Sequence, residues 1–159
     1  WSRVGVLEAR IGNPSAAWEA LFTAVDLDAR DQKAVELLQK LKLPHSGDAS
    51  ILARSEKIAG NGAFKEKPSK ALAHYTAALA ALQVPAAGPD NDPEKRQEDD
   101  VRLIAEIFSN RSAAFARLRL WGPAVADAQR ALALPGRGCW VKGQVRLATA
   151  LLGAGQPEQ

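Results

Sequence analysis

The sequence contains a single cysteine, Cys139, and only two histidines, His45 and His74. One cysteine excludes an internal disulfide and is typical of proteins in a reducing compartment, so we expect a cytoplasmic location. Neither histidine has another histidine or cysteine at the spacing of metal ligands, which predicts that the chain holds no metal and no cofactor. Cys139 has no neighbouring base, so a catalytic thiol is not expected.

Long apolar runs and clustered basic residues are also missing. No stretch reaches the roughly 18 apolar residues of a membrane span, and the first residues do not resemble a signal peptide. The net charge is +3. Because the basic residues form no run, the charge argues against nucleic-acid binding but permits an acidic partner. Both ends of the chain interrupt helical patterns, so we expect it to be part of a larger protein.

Alanine and leucine at helical spacing are abundant, and aromatic residues make up only 6% of the chain. Apolar residues recur every three or four positions, and no segment alternates as a strand would. Turns that contain proline or glycine separate the helical segments. The pattern predicts an all-α chain of antiparallel helix pairs. The predicted helices are 1–12, 15–25, 32–42, 53–67, 70–82, 101–120, 124–134 and 140–152.

One predicted helix, 53–67, carries unusual residues on one face. Lys57, Asn61 and Phe64 are spaced i, i+4 and i+7, so they point to the same side. Gly60 and Gly62 lower the helix propensity by about 0.5–1 kcal/mol each, which indicates either a close backbone approach or a need for the polar side chain of Asn61. If the amide NH2 of the asparagine points outward, the lysine and the asparagine together form a surface of hydrogen-bond donors.

A second unusual segment is 84–100, which contains three prolines and eight charged residues. This composition predicts a solvated loop. Its acidic end is expected to lie near the N-terminus of the next helix and to stabilise the positive end of the helix dipole.

Three helices share a motif of mostly small residues that are spaced four and then three positions apart. The motifs are Ala17-Leu21-Ala24, Ala71-Tyr75-Ala78 and Ala124-Ala128-Ala131. A small residue also lies on each preceding helix, at Gly5, at Ala59-Gly60 and at Ser112. Small residues on both helices of a pair are expected to let the two helices pack closely.

The motif resembles the tetratricopeptide repeat, whose consensus has Trp, Leu, Gly and Tyr on a first helix and Ala, Phe, Ala and Pro on a second. The first match is Trp1, Val4, Gly5, Ala17, Leu21 and Ala24, and the second is Ala71, Tyr75 and Ala78. The third is Ser109–Phe115 with Leu118, Trp121, Ala124, Ala131 and Pro135, and residues 141–159 match the first helix of a fourth. The resemblance implies an α-α superhelical solenoid.

The spacing between these motifs exceeds the family's period of about 34 residues. The helix 32–42 and the loop 84–100 account for the excess. We therefore expect an upstream repeat with a closing helix at 1–43 and a linker at 44–50. A repeat module should follow at 51–159, with the loop as an insertion and a truncated last repeat.

Three short motifs resemble the carboxylate-clamp subgroup of this family, which is found in co-chaperones. They are Lys57-x-x-x-Asn61, Ser109-Asn110-Arg111-Ser112-Ala113 and Lys142-x-x-x-Arg146. In the family these residues lie on the first helices of three repeats, which line a groove. No acidic residue occurs among the corresponding groove positions here.

The resemblance implies that Lys57, Asn61, Asn110, Lys142 and Arg146 bind the two carboxylates of a C-terminal aspartate. The family's ligands end in Glu-Glu-Val-Asp and are the tails of the seventy- and ninety-kilodalton heat-shock chaperones. Ala113 and Phe64 are expected to form a pocket for the valine, and Arg117 to add a contact. Phe64 has an alternative role as a core residue.

A second hypothesis is a solenoid scaffold that binds another protein or an internal segment without recognising a terminal carboxylate. Under that hypothesis Lys57 is solvated surface, and Lys142 and Arg146 form an ordinary helix face. An enzyme is the third possibility. It is not expected, because no nucleophile has a suitable base and no paired carboxylates face the inferred groove.

Overall fold

In a computed structural model of the protein, the structure describes residues 14–41, 49–82 and 98–155. These residues form α-helices joined by turns, with no β-strand among them, which confirms the predicted all-α class. The helices are α1 (Pro14–Leu27), α2 (Gln32–Lys40), α3 (Ala49–Ala63), α4 (Pro68–Ala81), α5 (Glu98–Arg117), α6 (Trp121–Ala133) and α7 (Val141–Ala154). None of these helices is long and apolar enough to cross a membrane.

Three sequence predictions fall wholly or mostly outside the described residues. They are the helix 1–12, the linker 44–50 and the insertion 84–100. The last residues of the predicted linker, Ala49 and Ser50, belong to α3. The last residues of the predicted insertion, Glu98 to Asp100, belong to α5.

Helix α3 differs from its predicted range of 53–67 at both ends, because it begins at Ala49 and ends at Ala63. Its early end follows from Pro68, which is the first residue of α4. A residue before proline is driven out of the helical region, and Lys67 accordingly has φ −136° and ψ 84°. Phe64 therefore lies in the turn directly after α3, whereas the range 53–67 predicted it within the helix.

Helix α5 begins one turn earlier than predicted, so that Glu98, Asp99 and Asp100 form its first turn. Acidic residues at this position stabilise the positive end of the helix dipole, which confirms the expected role of the acidic segment. The helix ends with Arg119 in the left-handed region at φ 58°. Leu120 N donates to Phe115 O at 2.9 Å and Arg119 N to Ala116 O at 3.0 Å, the hydrogen bonds of a Schellman motif.

The chain divides into two compact units, Trp1–Asn91 and Asp92–Gln159. In the first unit, α4 is the central helix, because α1, α2 and α3 all pack against it. Ala71 to Ala81 are buried except for His74, which is half-buried. A helix that is apolar on all sides needs such a surrounding layer. The described helices of this unit thus come from both sides of the predicted 44–50 linker.

In the second unit, α5 packs against α6 and α7, and α6 packs against α7. A buried ion pair joins α5 to α6, since Arg111 Nε lies 2.6 Å from Asp127 Oδ2 and Arg111 Nη2 lies 3.0 Å from Oδ1. Ser112 Oγ donates to the carbonyl of Ala124 at 2.7 Å. The small residue predicted at this helix crossing therefore also forms a buried hydrogen bond across it.

The three repeated small-residue motifs lie in the core. All nine of their residues are buried, namely Ala17, Leu21, Ala24, Ala71, Tyr75, Ala78, Ala124, Ala128 and Ala131. Their shared burial confirms the expectation that these positions face neighbouring helices, and it is compatible with a repeat-like helical chain.

Candidate functional site

Lys57 and Asn61 lie one turn apart on α3, in the first unit. Lys57 is half-buried and Asn61 is exposed. The hydroxyl of Tyr75, on α4, donates a hydrogen bond to Asn61 Oδ1 at 2.8 Å. Because this bond turns the amide oxygen toward the Tyr75 ring, the NH2 group of Asn61 lies on the other arm of the amide. The lysine and the asparagine thus both carry donor groups on α3, and the outward NH2 stays a prediction.

Gly60 explains how the tyrosine reaches this asparagine. A Cβ atom at position 60 would lie 2.6 Å from Tyr75 Cε1 and 2.8 Å from Tyr75 Cδ1, closer than carbon atoms can approach. The absence of a side chain therefore lets the buried ring lie against the backbone of α3. The close approach that the sequence predicted for Gly60 is confirmed. Gly62 does not share this role, because a Cβ atom there would meet nothing within 4 Å.

Asn110 and Lys142 come together in the second unit. Asn110 is half-buried on α5, and Lys142 is exposed in the first turn of α7. Lys142 Nζ donates to Asn110 Oδ1 at 3.2 Å. The oxygen of this second asparagine thus also accepts a hydrogen bond from within the protein. Its NH2 group, on the other arm, is a donor beside the ammonium group.

Arg146 lies one turn after Lys142 on α7 and is half-buried. Its Nε atom is buried and, within the described part of the chain, has no hydrogen-bond partner. A buried donor of a charged group without a partner costs free energy, about 1–3 kcal/mol or more. An acceptor from outside the described residues, such as water or an anionic ligand, would complete its hydrogen bonding.

Two glycines let α7 pack closely against α6. A Cβ atom at Gly143 would lie 2.8 Å from Leu132 Cδ2, and one at Gly153 would overlap the ring of Trp121. Both glycines are buried, whereas Lys142, one position before Gly143, is exposed. Arg146, three positions after Gly143, is half-buried and lies along the buried side of α7.

The ion pair of Arg111 and Asp127 lies next in sequence to Asn110. Arg111 is 2% exposed and Asp127 is 1% exposed, and Arg130 Nη1 lies 3.2 Å from Asp127 Oδ1. Arg111 also lies over the rings of Phe108 and Phe115 at 5.5 and 5.8 Å from their centroids. The arginine of the Ser-Asn-Arg motif therefore belongs to the core, where it holds the Asn110 segment of α5 against α6.

The three residues predicted for an apolar pocket have different surroundings. Ala113 is buried in α5, at 6% exposure, and Arg117 is exposed in the last turn of the same helix. Phe64 is half-buried in the turn between α3 and α4. Phe64 belongs to the first unit and the other two to the second. The predicted valine pocket stays a prediction.

The structure thus groups the candidate donors in two sets. Lys57 and Asn61 share α3 in one unit, while Asn110, Lys142 and Arg146 are brought together on α5 and α7 in the other. Their union in one five-residue site stays a prediction. Chemically, each set offers hydrogen-bond donors from cationic and amide groups, which suit carboxylate oxygens. Across the described ranges, no three His, Cys, Asp or Glu side chains are grouped closely enough to hold a metal ion.

Sequence reasoning missed the contribution of Tyr75 to this arrangement. The residue was assigned only to the repeat pattern, yet its hydroxyl orients Asn61. A signal was present, because a tyrosine at a core position of an alanine-rich helix needs a partner for its hydroxyl. The contact between Lys142 and Asn110, 32 positions apart, carried no local signal.

Comparison with known proteins gives no match. No protein-family model, no curated protein and no solved structure matches the chain. The geometry of the candidate site and the motifs of the sequence are therefore the basis for proposing a function.

Proposed function

We propose that this chain is a non-enzymatic peptide-binding module that holds the C-terminal carboxylates of an acidic peptide. The observation that carries the proposal is the donor cluster on α5 and α7. Lys142 Nζ contacts the oxygen of Asn110, and the buried Nε of Arg146 has no acceptor within the described residues. A carboxylate at this position would complete the hydrogen bonding of the arginine.

The second donor set supports the same chemistry. On α3, Lys57 supplies a cation and Asn61 directs its NH2 away from Tyr75. Asparagine suits such a site because it donates without adding a further positive charge that would repel its cationic neighbours. We propose that both sets act on one ligand, the terminal aspartate, whose backbone and side-chain carboxylates together need several donors.

The finer architecture belongs to this proposal. We assign the helices to a tetratricopeptide-type solenoid in which α3 with α4 and α5 with α6 are helix pairs, and α7 is the first helix of a further pair. The support comes from the three buried small-residue motifs and from the glycine and serine contacts between paired helices. In this arrangement α3, α5 and α7 are equivalent first helices, and all five candidate donors lie on them.

The proposed partner is the tail of a seventy- or ninety-kilodalton heat-shock chaperone ending in Glu-Glu-Val-Asp, with the chain acting as a co-chaperone adaptor in the cytoplasm. Charge-assisted hydrogen bonds contribute about 1.5–3 kcal/mol each. Several such bonds, less the entropy lost when a flexible tail becomes ordered, correspond to an affinity of about 1 μM, near −8 kcal/mol.

A titration with two matched peptides tests the proposal. One ends in Glu-Glu-Val-Asp with a free C-terminus, and the other has the same sequence with an amidated C-terminus. Calorimetry should show that the free acid binds at least about tenfold more tightly, because amidation removes a charged acceptor. Added salt should weaken the free acid more than the amide. Equal affinity for both peptides would contradict terminal-carboxylate binding and favour a scaffold that binds another segment.

A further inference from the structure

The geometry points to Tyr75 as a positioning residue for the peptide site: its hydroxyl fixes the Asn61 amide so that NH2, and not the oxygen, meets the ligand carboxylate. This inference rests on the proposed function, since it names a residue that acts through a proposed ligand-binding residue. Tyr75 does not itself contact the peptide, because it is a buried residue of α4 at 2% exposure.

The side chain of Tyr75 is held in a fixed position. Its ring is buried among the helices that surround α4, and it lies against Gly60 with no side chain between the ring and the α3 backbone. The hydroxyl lies 2.8 Å from Asn61 Oδ1, the length of a well-formed hydrogen bond. A buried donor thus contacts one end of an exposed amide.

The amide of Asn61 has one arm that donates hydrogen bonds and one that accepts them. An asparagine side chain can rotate by half a turn and exchange its NH2 group for its oxygen at nearly the same position. Toward a carboxylate, one orientation donates a hydrogen bond and the other places two acceptors face to face. In the structure the tyrosine hydroxyl donates to the oxygen, so the opposite arm of the amide is the one that donates.

The oxygen of the second asparagine, Asn110, also accepts a hydrogen bond from a protein side chain, although the donor is a lysine and not a tyrosine. The oxygen of Asn110 accepts from Lys142 Nζ at 3.2 Å, so a protein donor again occupies the oxygen arm. In the second unit the orienting group is itself a proposed ligand cation. In the first unit, the hydroxyl of Tyr75 is a donor to the oxygen of Asn61.

The test is Tyr75→Phe, which removes the hydroxyl and keeps the ring that packs on Gly60. We expect the variant to bind the free-acid peptide about three- to tenfold more weakly than the wild type, with little change for the amidated peptide. Thr76→Val is the matched control, because it removes a neighbouring buried hydroxyl that donates to Leu72 O at 2.8 Å. The control should keep the peptide affinity of the wild type.

A double-mutant cycle separates positioning from a general effect on stability. In an Asn61→Ala background, Tyr75→Phe should cause no further loss of affinity, because the amide that it orients is absent. A loss of the same size in both backgrounds would show a merely structural role and would overturn the inference. Thermal unfolding of each variant verifies that the proteins compared are folded.

A second variant tests whether position 61 faces the ligand carboxylate, without changing the tyrosine. Asn61→Asp keeps an acceptor for the Tyr75 hydroxyl but replaces the outward donor with an anionic oxygen. It should bind the free-acid peptide about tenfold more weakly than Asn61→Ala, because like charges then face each other. Equal binding by the two variants would overturn the inference.

The outcomes distinguish this inference from the proposed function. If the wild type prefers the free acid and Tyr75→Phe retains its full affinity, the inference fails while the peptide-binding function stands. If the wild type binds both peptides equally, the proposed function fails, and the inference fails with it.

Discussion

A pair of glycines two positions apart on α3 gives a sharp test of how this helix packs. Gly60→Ala places a methyl carbon 2.6 Å from Tyr75 Cε1 and 3.1 Å from Tyr75 Cζ, whereas optimal carbon contacts are about 3.5–4.0 Å. The ring must therefore move by about 1 Å. It is buried, and its hydroxyl is hydrogen-bonded to Asn61, so it cannot move alone.

The expected magnitude is the difference of two effects. Overpacking of this kind costs about 1–3 kcal/mol, and replacing a helical glycine by alanine recovers about 0.5–1 kcal/mol. Gly60→Ala should therefore lower the free energy of unfolding by up to about 2.5 kcal/mol. Gly62→Ala should raise it by up to about 1 kcal/mol, since its Cβ atom meets nothing within 4 Å.

Equilibrium urea unfolding, followed by the circular dichroism of the helices, measures both changes against the wild type. The two variants should shift the midpoint in opposite directions with the same slope against denaturant. Their unfolding temperatures should differ by several degrees, since 1 kcal/mol corresponds to about 2–4 °C at this size. If Gly60→Ala is as stable as Gly62→Ala, the ring of Tyr75 moves aside without an energetic cost, and a tight contact between Gly60 and Tyr75 is refuted.

Three further predictions concern the second unit. Arg146→Ala should weaken free-acid peptide binding by about 2–5 kcal/mol in calorimetry with an unchanged dichroism spectrum, and Lys142→Ala by less, because the lysine is exposed. Arg111→Met should lower the free energy of unfolding, measured by urea titration, by about 3–5 kcal/mol, since Asp127 stays buried without its main partner. Replacing both Arg111 and Asp127 by leucine should recover much of this loss. Arg119→Gly should raise the free energy of unfolding by about 0.5–1 kcal/mol, because glycine accepts φ 58° without strain, and a lower unfolding temperature would contradict this.

Much of the helical framework was predictable because its signals are local. The spacing of alanines and leucines predicts the helices, and the turn residues predict where they separate. The helical pattern alone predicts that α3 continues to Lys67, but Pro68 drives Lys67 out of the helical region and the helix ends at Ala63. The start of α5 was placed too late because Glu98, Asp99 and Asp100 were assigned to the loop, although acidic residues favour a helix N-terminus.

For the candidate site, the sequence predicts which residues share a helix face but not how their polar atoms are oriented. Lys57 with Asn61, and Lys142 with Arg146, follow directly from a spacing of four. The role of Arg111 was not predictable in this way, because its burial depends on Asp127, 16 positions away on another helix. An arginine in a polar motif gives no local sign that it belongs to the core.

By itself, the sequence determined the helical class, the small-residue contacts between paired helices and the identity of the candidate donors, because these follow from periodicity and residue type. Only the tertiary structure decided which way the asparagine amides point. In the observed orientation, the oxygen of Asn61 accepts from Tyr75 and the oxygen of Asn110 accepts from Lys142, each on another helix. A rotation of the amide by half a turn leaves the sequence pattern unchanged and exchanges a donor for an acceptor. Packing therefore decides whether a carboxylate would meet a hydrogen-bond donor or an acceptor.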